Sequence, residues 1–193
     1  MALWSVRIEH KRRIKMQDGK LGVAIHGVGE VAYAHAASWK KCPKARIVSV
    51  SSRRRESAQA LVDRLGLDCP VRDSYEQVLA DSAVDIVNLS GPNQVHTPQG
   101  IAAAEAGKHL MIEKPMCLTM EENRALRAAV TKAGVKSVCS FVLRWNPLVR
   151  NLKNLLAQHA IGNVFYIGVD YWHGLGASWH GFEWGRSREG GGS

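Results

Sequence analysis

The sequence has few of the features that mark several protein classes. Its 193 residues contain four cysteines, which lie far apart and form no CxxC pair: Cys42, Cys69, Cys117 and Cys139. This spacing matches neither a zinc ribbon nor a disulfide framework, so we interpret them as free thiols in a reducing cytoplasm. No apolar run reaches the roughly 18–20 residues of a membrane span, and charges that begin at Arg7 leave no signal-peptide core. We predict a cytoplasmic protein with no membrane partner and no metal site.

The sequence also has no basic stripe interleaved with aromatic residues, although its formal charge is +9. Nucleic-acid binders usually concentrate positive charge on one face. Here much of the excess lies within residues 1–20, and the rest is spread singly over helix-like segments. We therefore predict no nucleic-acid partner and keep a basic nucleic-acid binder as the weakest alternative.

From Leu21 onward, short apolar runs alternate with segments of helical period, which is the pattern of βαβ units and a parallel sheet. Predicted strands cover 21–26, 46–51, 84–89, 109–112 and 136–141. Predicted helices cover 31–41, 54–65, about 97–106 and 147–159, and two more begin at capping boxes, at Ser74 and at Thr119. The run 164–171 alternates between two faces and predicts a long strand of a different sheet.

The segment Gly27-Val28-Gly29-Glu30-Val31-Ala32 joins the first predicted strand to the first helix with GxGxxA spacing. Gly27 permits a tight turn, Gly29 lets the backbone approach a pyrophosphate, and Ala32 allows close packing of helix on strand. The N-terminus of the helix adds amide donors and a favourable dipole. With βα units on both sides, this spacing favours a dinucleotide site over a plain glycine-rich turn.

The end of the second predicted strand indicates the cofactor. It reads Ser51-Ser52-Arg53-Arg54-Arg55, with no acid before Glu56. NAD sites usually place Asp or Glu here to accept the ribose hydroxyls. A carboxylate would repel a 2′-phosphate, whereas Ser52, Arg53 and Arg54 would bind it. We favour NADP over NAD; the alternative is a solvated basic start of a helix.

Two further strand ends carry polar residues, and ligands of open α/β sheets collect at the carboxyl ends of strands. One end carries Ser90, Pro92, Asn93 and His96, and the other carries Glu113-Lys114-Pro115. A lone histidine is more often structural. Lys114 directly follows an apolar strand and precedes a rigid proline, and a partly buried lysine can orient or protonate a substrate oxygen.

Together these motifs resemble the Gfo/Idh/MocA family of oxidoreductases. The resemblance covers about residues 20–193 and rests on GVGEVA, GPNQVH, AGKHLMIEKPMCLT and FVLRWNP, of which AGKHLMIEKP is the most specific. It implies an α/β fold: a Rossmann domain with a doubly wound parallel sheet, then an α/β domain with an open, mainly antiparallel sheet. It also implies hydride transfer between nicotinamide and a hydroxyl-bearing carbon of a sugar, inositol or similar polyol.

The resemblance also implies roles for individual residues. Lys114 would be the catalytic lysine, with Glu113 and Pro115 beside it. The implied cofactor contacts are Gly27, Gly29, Glu30 and Val31 at the pyrophosphate, Ser52 and Arg53 at the adenosine ribose, Pro92, Asn93 and His96 at the nicotinamide, and Arg144 and Trp145 near the domain junction. By position we add Val28, Arg54 and Ser90 to the cofactor site.

The predicted organisation is an N-terminal extension (1–19), a Rossmann domain (20–145) and part of a C-terminal domain for substrate binding and oligomerisation (146–193). In the family, an Asp and a His after a glycine-rich segment complete proton transfer, and Gly190–Ser193 resembles the start of that segment. We therefore expect an incomplete second domain, a poorly active fragment and a full-length homo-oligomer. Alternatives are a redox-neutral use of the cofactor, and a non-catalytic dinucleotide-binding module that senses redox state or serves as a partner subunit.

Overall fold

Six parallel strands form one sheet in the computed structural model, which describes residues 19–172. The strands are β1 (Leu21–His26), β2 (Ala45–Ser51), β3 (Val71–Arg72), β4 (Ile86–Leu89), β5 (His109–Ile112) and β6 (Ser137–Cys139), in the spatial order β3-β2-β1-β4-β5-β6. The helices are α1 (Glu30–Lys41), α2 (Arg55–Leu65), α3 (Tyr75–Ala80), α4 (Asn93–Glu105), α5 (Met120–Ala133) and α6 (Pro147–Ala157), with a 3₁₀ helix at Val142–Trp145. The prediction of a doubly wound parallel sheet is confirmed.

The two faces of the sheet bury separate apolar clusters, because neighbouring residues of a strand point to opposite sides. Ala24 of β1 packs in a cluster with Leu110 of β5 and Leu126 of α5. The next residue, Ile25, packs in a second cluster with residues of α1 and α2 that include Ala36 and Leu61. Strand β1 is therefore buried on both sides, and its carboxyl end is held rigidly where the strand order reverses.

Two predicted helix starts have the expected side-chain caps. The Thr119 hydroxyl accepts from the Glu122 amide at 3.1 Å, and the Glu122 carboxylate accepts from the Thr119 amide at 3.3 Å, so the capping box of α5 is complete. At α3 only half of the box forms. Ser74 accepts from the Gln77 amide, but the Gln77 side chain accepts from the amide of Asp73 instead.

The predicted start of α4 near Thr97 is wrong by about one turn. The helix begins at Asn93, directly after Pro92, whose extended backbone leads into it. Pro98, which a later start would have placed in the tolerant first turn, lies inside the helix instead. Strand β3, of two residues, was not predicted at all because it is too short to show a period.

The prediction of a strand over 164–171 is also wrong. These residues have no regular secondary structure, and Phe165 is 99% exposed. A strand needs a neighbour for its backbone hydrogen bonds, and no other described segment pairs with this one. The second-domain sheet and the domain boundary at 145 stay predictions. The N-terminal extension up to residue 18, and the interpretation of residues 173–193, lie outside the described residues.

Candidate functional site

The β1–α1 and β4–α4 loops meet at the carboxyl ends of two adjacent strands. The Gly27 amide donates to the Ser51 carbonyl at 3.0 Å, and the Ser90 amide donates to the His26 carbonyl at 2.9 Å. Gly27 has a φ of +86°, and a Cβ there would lie 2.5 Å from the Gly91 nitrogen. Only glycine fits at this point, so the residue type follows directly from the close approach of the two loops.

Gly29 is the N-cap of α1, and its surroundings differ from those of Gly27. It has extended backbone and is exposed, and a Cβ there would meet only the Ser90 carbonyl oxygen, at 3.9 Å. Glu30 and Val31, the first helical residues, are exposed as well. Val28 is partly buried against the apolar cluster of α1 and α2. The N-terminus of α1 is thus open to an anion that could use its amides and dipole.

At the end of β2, a graded series of side chains leads from the core to the surface. Ser51 is buried, Ser52 is half-buried, and Arg53 and Arg54 are exposed. The guanidinium of Arg55, in contrast, forms a salt bridge with Asp73. Within residues 19–172, the side chains of Arg53 and Arg54 have no hydrogen-bond or ion-pair partner. Two adjacent guanidinium groups are therefore available beside the glycine corner.

His26, which the sequence analysis did not single out, lies buried at the carboxyl end of β1. Its Nδ1 contacts Ser51 Oγ at 2.7 Å, and its Nε2 contacts the side-chain nitrogen Nε2 of Gln99 at 3.0 Å. The centroid of its ring lies 4.3 Å from that of the Tyr75 ring. Burial lowers the pKa of His26 to about 4, with a small opposing effect from Glu76. The ring is neutral at neutral pH and links β1, β2 and α4 below the corner.

Lys114 lies at the end of β5, the strand next to β4, and its side chain is exposed. The preceding Glu113 is buried; its Oε1 lies 3.1 Å from His35 Nε2, and its Oε2 accepts from the Lys114 amide at 3.1 Å. Burial alone would raise the pKa of Glu113, but hydrogen bonds from His35, Ser140 and the Lys114 amide lower it overall. The carboxylate is therefore ionised and held rigidly beneath the lysine.

His96 joins the two loops on either side of this site. Its ring is fully buried, with Nδ1 2.8 Å from the Pro115 carbonyl oxygen and Nε2 2.9 Å from that of Gly91. Asn93 and Ser90 are buried nearby, and the hydroxyl of Ser90 accepts a hydrogen bond from the side-chain nitrogen Nδ2 of Asn88 at 2.6 Å. Of the predicted residues in the β4–α4 loop, Pro92 is the exposed one.

Arg144 and Trp145 belong to the 3₁₀ helix after β6, away from the glycine corner in the chain. The Arg144 guanidinium lies 5.7 Å from the ring of Phe141, and both residues predicted here are exposed. Trp145 lines a mainly apolar cavity of about 460 Å³ with His35 and Ser140. The structure thus places Trp145 on the side of α1 and β6.

Sequence reasoning missed His35 and Ser140, which hydrogen-bond Glu113, and Asn88, which contacts His35. His35 and Asn88 are 53 residues apart, and Ser140 and His35 are 105 residues apart, so no local spacing predicts these contacts. One signal was present. His35 falls in the buried stripe of α1 between Ala32 and Ala36, and a polar residue in such a stripe indicates a buried partner.

Within the described residues, no helix is long and apolar enough to cross a bilayer, and no group of three or more His, Cys, Asp or Glu side chains is placed to hold a metal ion. The glycine corner, the reversal of strand order at β1 and β4 and the open N-terminus of α1 define a dinucleotide-binding Rossmann domain. Residues 21–141 match the family described as "Oxidoreductase family, NAD-binding Rossmann fold". The chain belongs to this family, the Gfo/Idh/MocA oxidoreductases, as the resemblance predicted.

Relatives of known activity support the assignment. The chain is 32% identical over 144 residues to scyllo-inositol 2-dehydrogenase (NAD(+)) of Bacillus subtilis, covering 74% of this chain and 42% of that protein. It is 34% identical over 143 residues to D-xylose 1-dehydrogenase (NADP(+)) 2 of Haloferax volcanii, with the same coverage. A solved levoglucosan dehydrogenase in complex with NADH and levoglucosan superposes with a TM-score of 0.70 at 28% identity, covering 74% of this chain and 40% of that one. The chain spans about two fifths of the length of these relatives.

Proposed function

We propose that this chain is the cofactor-binding part of an NAD(P)-dependent dehydrogenase that transfers hydride between nicotinamide and a hydroxyl-bearing carbon of a sugar, inositol or related polyol. The observation that carries the proposal is the pairing of an open glycine corner at β1 with an exposed lysine at the end of β5. Relatives named for inositol, xylose and levoglucosan support the substrate class. The substrate, the cytoplasmic location and a full-length homo-oligomer are part of the same proposal.

The residues present fit a dinucleotide. A Cβ at Gly29 would meet only the Ser90 carbonyl oxygen, so the space beside the N-terminus of α1 is open, and the free amides of its first turn would hold a diphosphate. When bound, the nicotinamide ring supplies the hydride acceptor or donor. Lys114 would hydrogen-bond the substrate oxygen and stabilise the charge that develops there as the carbon–hydrogen bond breaks or forms. Glu113 would hold the backbone of Lys114 in place.

We favour NADP as the cofactor because of Arg53 and Arg54. Both guanidinium groups are exposed beside the corner and unpaired within residues 19–172, so a 2′-phosphate could bind them without breaking an existing contact. The relatives include both an NAD and an NADP enzyme, and thus leave the choice to these residues.

The test is a titration of the folded chain with NADPH and with NADH, in which fluorescence measures binding. We expect binding of both, with NADPH tighter. Arg53→Ala combined with Arg54→Ala should weaken NADPH about tenfold, the loss of one or two charge-assisted hydrogen bonds, and leave NADH unchanged. Arg55→Ala is the matched control, since that arginine is held by Asp73. Equal affinity for the two nucleotides in all variants would contradict the NADP preference.

A non-catalytic sensor is the second candidate, and Lys114→Ala separates it from an enzyme. In an enzyme the variant keeps its dinucleotide affinity and loses turnover of a polyol substrate in a full-length protein carrying this domain. A sensor has no such turnover even in wild type, and its Lys114→Ala variant keeps the same dinucleotide affinity. The exposure of Lys114 and its rigid support by Glu113 favour the enzyme.

A further inference from the structure

A buried histidine contacts the backbone of both loops beside the candidate site. His96 is the fourth residue of α4, and its ring is fully buried. Its Nε2 lies 2.9 Å from the carbonyl oxygen of Gly91, and its Nδ1 lies 2.8 Å from that of Pro115. A carbonyl only accepts, and each ring nitrogen is a donor in one of the two tautomers, so the ring can hydrogen-bond either loop.

The contact with Gly91 connects His96 to the glycine corner. A Cβ at Gly27 would lie 2.5 Å from the Gly91 nitrogen, so the two loops pack backbone against backbone. The amide of Ser90, the residue before Gly91, donates to the His26 carbonyl at 2.9 Å. Because packing is this close, a shift of the Gly91 backbone would displace Gly27 as well.

The contact with Pro115 connects His96 to the lysine. Proline has no backbone N–H, so its carbonyl is the backbone group through which a hydrogen bond can hold this residue. Lys114 directly precedes it, and the Lys114 amide donates to Glu113 Oε2 at 3.1 Å. The backbone around Lys114 is therefore held from two sides, by Glu113 before it and by His96 after it.

We infer that His96 is a positioning residue, which fixes the place of Lys114 relative to the glycine corner. A fully buried ring cannot touch a nicotinamide unless the two loops separate, so this role differs from the cofactor contact that the resemblance implies. The inference rests on the proposed function for what the corner and Lys114 bind. Hydride transfer needs the lysine, the substrate carbon and the nicotinamide in one geometry, and a displacement of about 1 Å can cost about a hundredfold in rate.

Two amide substitutions separate the two contacts. In His96→Asn the amide takes the place of Nδ1 and can still donate to Pro115, whereas the Gly91 carbonyl loses its partner. In His96→Gln the amide takes the place of Nε2 and can still donate to Gly91, whereas the Pro115 carbonyl loses its partner. Each variant therefore releases one loop. His159→Asn, at an exposed position after α6, is the control and should change nothing.

Hydrogen exchange of two amides measures the release of each loop in this chain. The Lys114 amide reports on the Pro115 side and the Ser90 amide on the Gly91 side. His96→Gln should speed exchange at Lys114 about tenfold and at Ser90 less than about twofold, and His96→Asn should do the reverse, because one buried hydrogen bond is worth roughly a factor of ten. A histidine that only stabilises the fold would speed both amides by the same factor in each variant, which would overturn the inference.

The wild-type chain offers a measurement that needs no variant to fold. The ring N–H of His96 should give a ¹H–¹⁵N signal that persists in water at pH 7.5, because the ring is buried between two carbonyls. The ring N–H of the exposed His159 should exchange too fast to be seen. Exchange at His96 as fast as at His159 would mean that the ring does not hold the loops.

Dinucleotide affinity and turnover separate this inference from the proposed function. In a full-length protein carrying this domain, His96→Gln should lower kcat for a polyol about tenfold and leave the Kd of NADPH within about twofold of wild type, because the corner keeps its contact. An unchanged kcat, or equal losses of affinity and turnover, would contradict the positioning role. If neither NADPH nor NADH binds, the proposed function fails, and the two exchange rates still decide whether His96 holds the loops. If NADPH binds but both amides accelerate equally, the proposed function stands and His96 is not a positioning residue.

Discussion

Gly27 and Gly29 belong to the same turn, yet an added methyl group would meet different neighbours at each. At Gly27 the methyl group would clash with the backbone of Gly91, and the alanine would also have to keep a positive φ. At Gly29 it would make an ordinary contact with Ser90 and would point into open space. The first glycine is therefore needed for the fold, and we propose that the second is needed for the approach of a ligand.

Substituting each glycine by alanine tests this division. Gly27→Ala should lower the free energy of unfolding by at least about 2 kcal/mol, from the clash and the left-handed backbone. Gly29→Ala should leave stability within about 0.5 kcal/mol of wild type and weaken NADPH about tenfold, because the methyl group keeps the diphosphate from the amides. Urea denaturation and fluorescence titration measure the two effects. A stable Gly29→Ala that binds as tightly as wild type would argue against a diphosphate at this corner.

His26 makes stability depend on pH. Its pKa is about 4 in the folded chain and 6.5 when unfolded, so the unfolded state binds more protons between these values. Stability is therefore complete above pH 6.5 and falls as the pH decreases toward 4, by about 2 kcal/mol between pH 7 and pH 4.5. Carboxylates such as Glu113 and Asp81, whose pKa values are lowered, add their own loss in acid.

His26→Asn isolates the contribution of the ring. The asparagine retains a group near Ser51 but does not titrate, so the variant should lose about 2 kcal/mol less than wild type on acidification from pH 7 to pH 4.5. Urea denaturation at the two pH values gives the difference, in which the carboxylate contributions cancel. His159→Asn should behave as wild type. Equal acid sensitivity in wild type and His26→Asn would mean that His26 does not titrate as its burial requires.

At the scale of elements, α5 shows how far local sequence determines structure. The spacing of Thr119 and Glu122 predicts a capping box, and the structure has both of its hydrogen bonds. Thr119→Ala should therefore destabilise the chain by about 1 kcal/mol. Thr131→Ala, at an exposed position of the same helix, is the matched control and should be neutral or slightly stabilising because alanine has the higher helix propensity. If the two variants have the same urea midpoint, the Thr119 cap does not stabilise the chain.

Elements that depend on distant partners were harder to predict. The predicted start of α4 near Thr97 lies a turn late, and the observed helix has Pro98 in its interior, where proline is unusual. The segment 164–171 has the alternation of a strand but no neighbour to pair with among the described residues. Periodicity shows which face of a segment can be buried, and it cannot show whether a partner is present.

At the scale of the whole molecule, the sequence predicted the glycine corner and the position of Lys114 at a strand end, but not the buried polar network nearby. The glycines, Lys114 and the strand ends are local signals, and the sheet order brings them together by rule. The contacts among His35, Asn88, Glu113 and Ser140 form only when the sheet and α1 assemble. The four residues come from α1, β4 and the segments that follow β5 and β6. No local pattern in the sequence predicts the contacts among these residues.

The described residues expose a contiguous apolar surface on and near α6. Leu148, Leu152 and Leu155 form one face of α6, and each is at least half exposed; Val142 and Trp145 extend this apolar surface toward the cavity beside α1. Monomeric soluble proteins rarely expose contiguous apolar areas of this kind. We expect the chain to self-associate through this surface at micromolar concentration, despite its charge of +9.

Substitution of both Leu152 and Leu155 by glutamate should make the chain monomeric over the same concentration range, as measured by sedimentation velocity. Each replacement removes apolar area and adds a charge that would have to be desolvated in an interface. Arg127→Glu, at an exposed position of α5, changes the net charge by the same two units without touching α6, and it should associate as wild type does. If Arg127→Glu also becomes monomeric, net charge governs association. If both variants still associate, the contact lies elsewhere on the chain, and the exposed face of α6 is not what brings copies together.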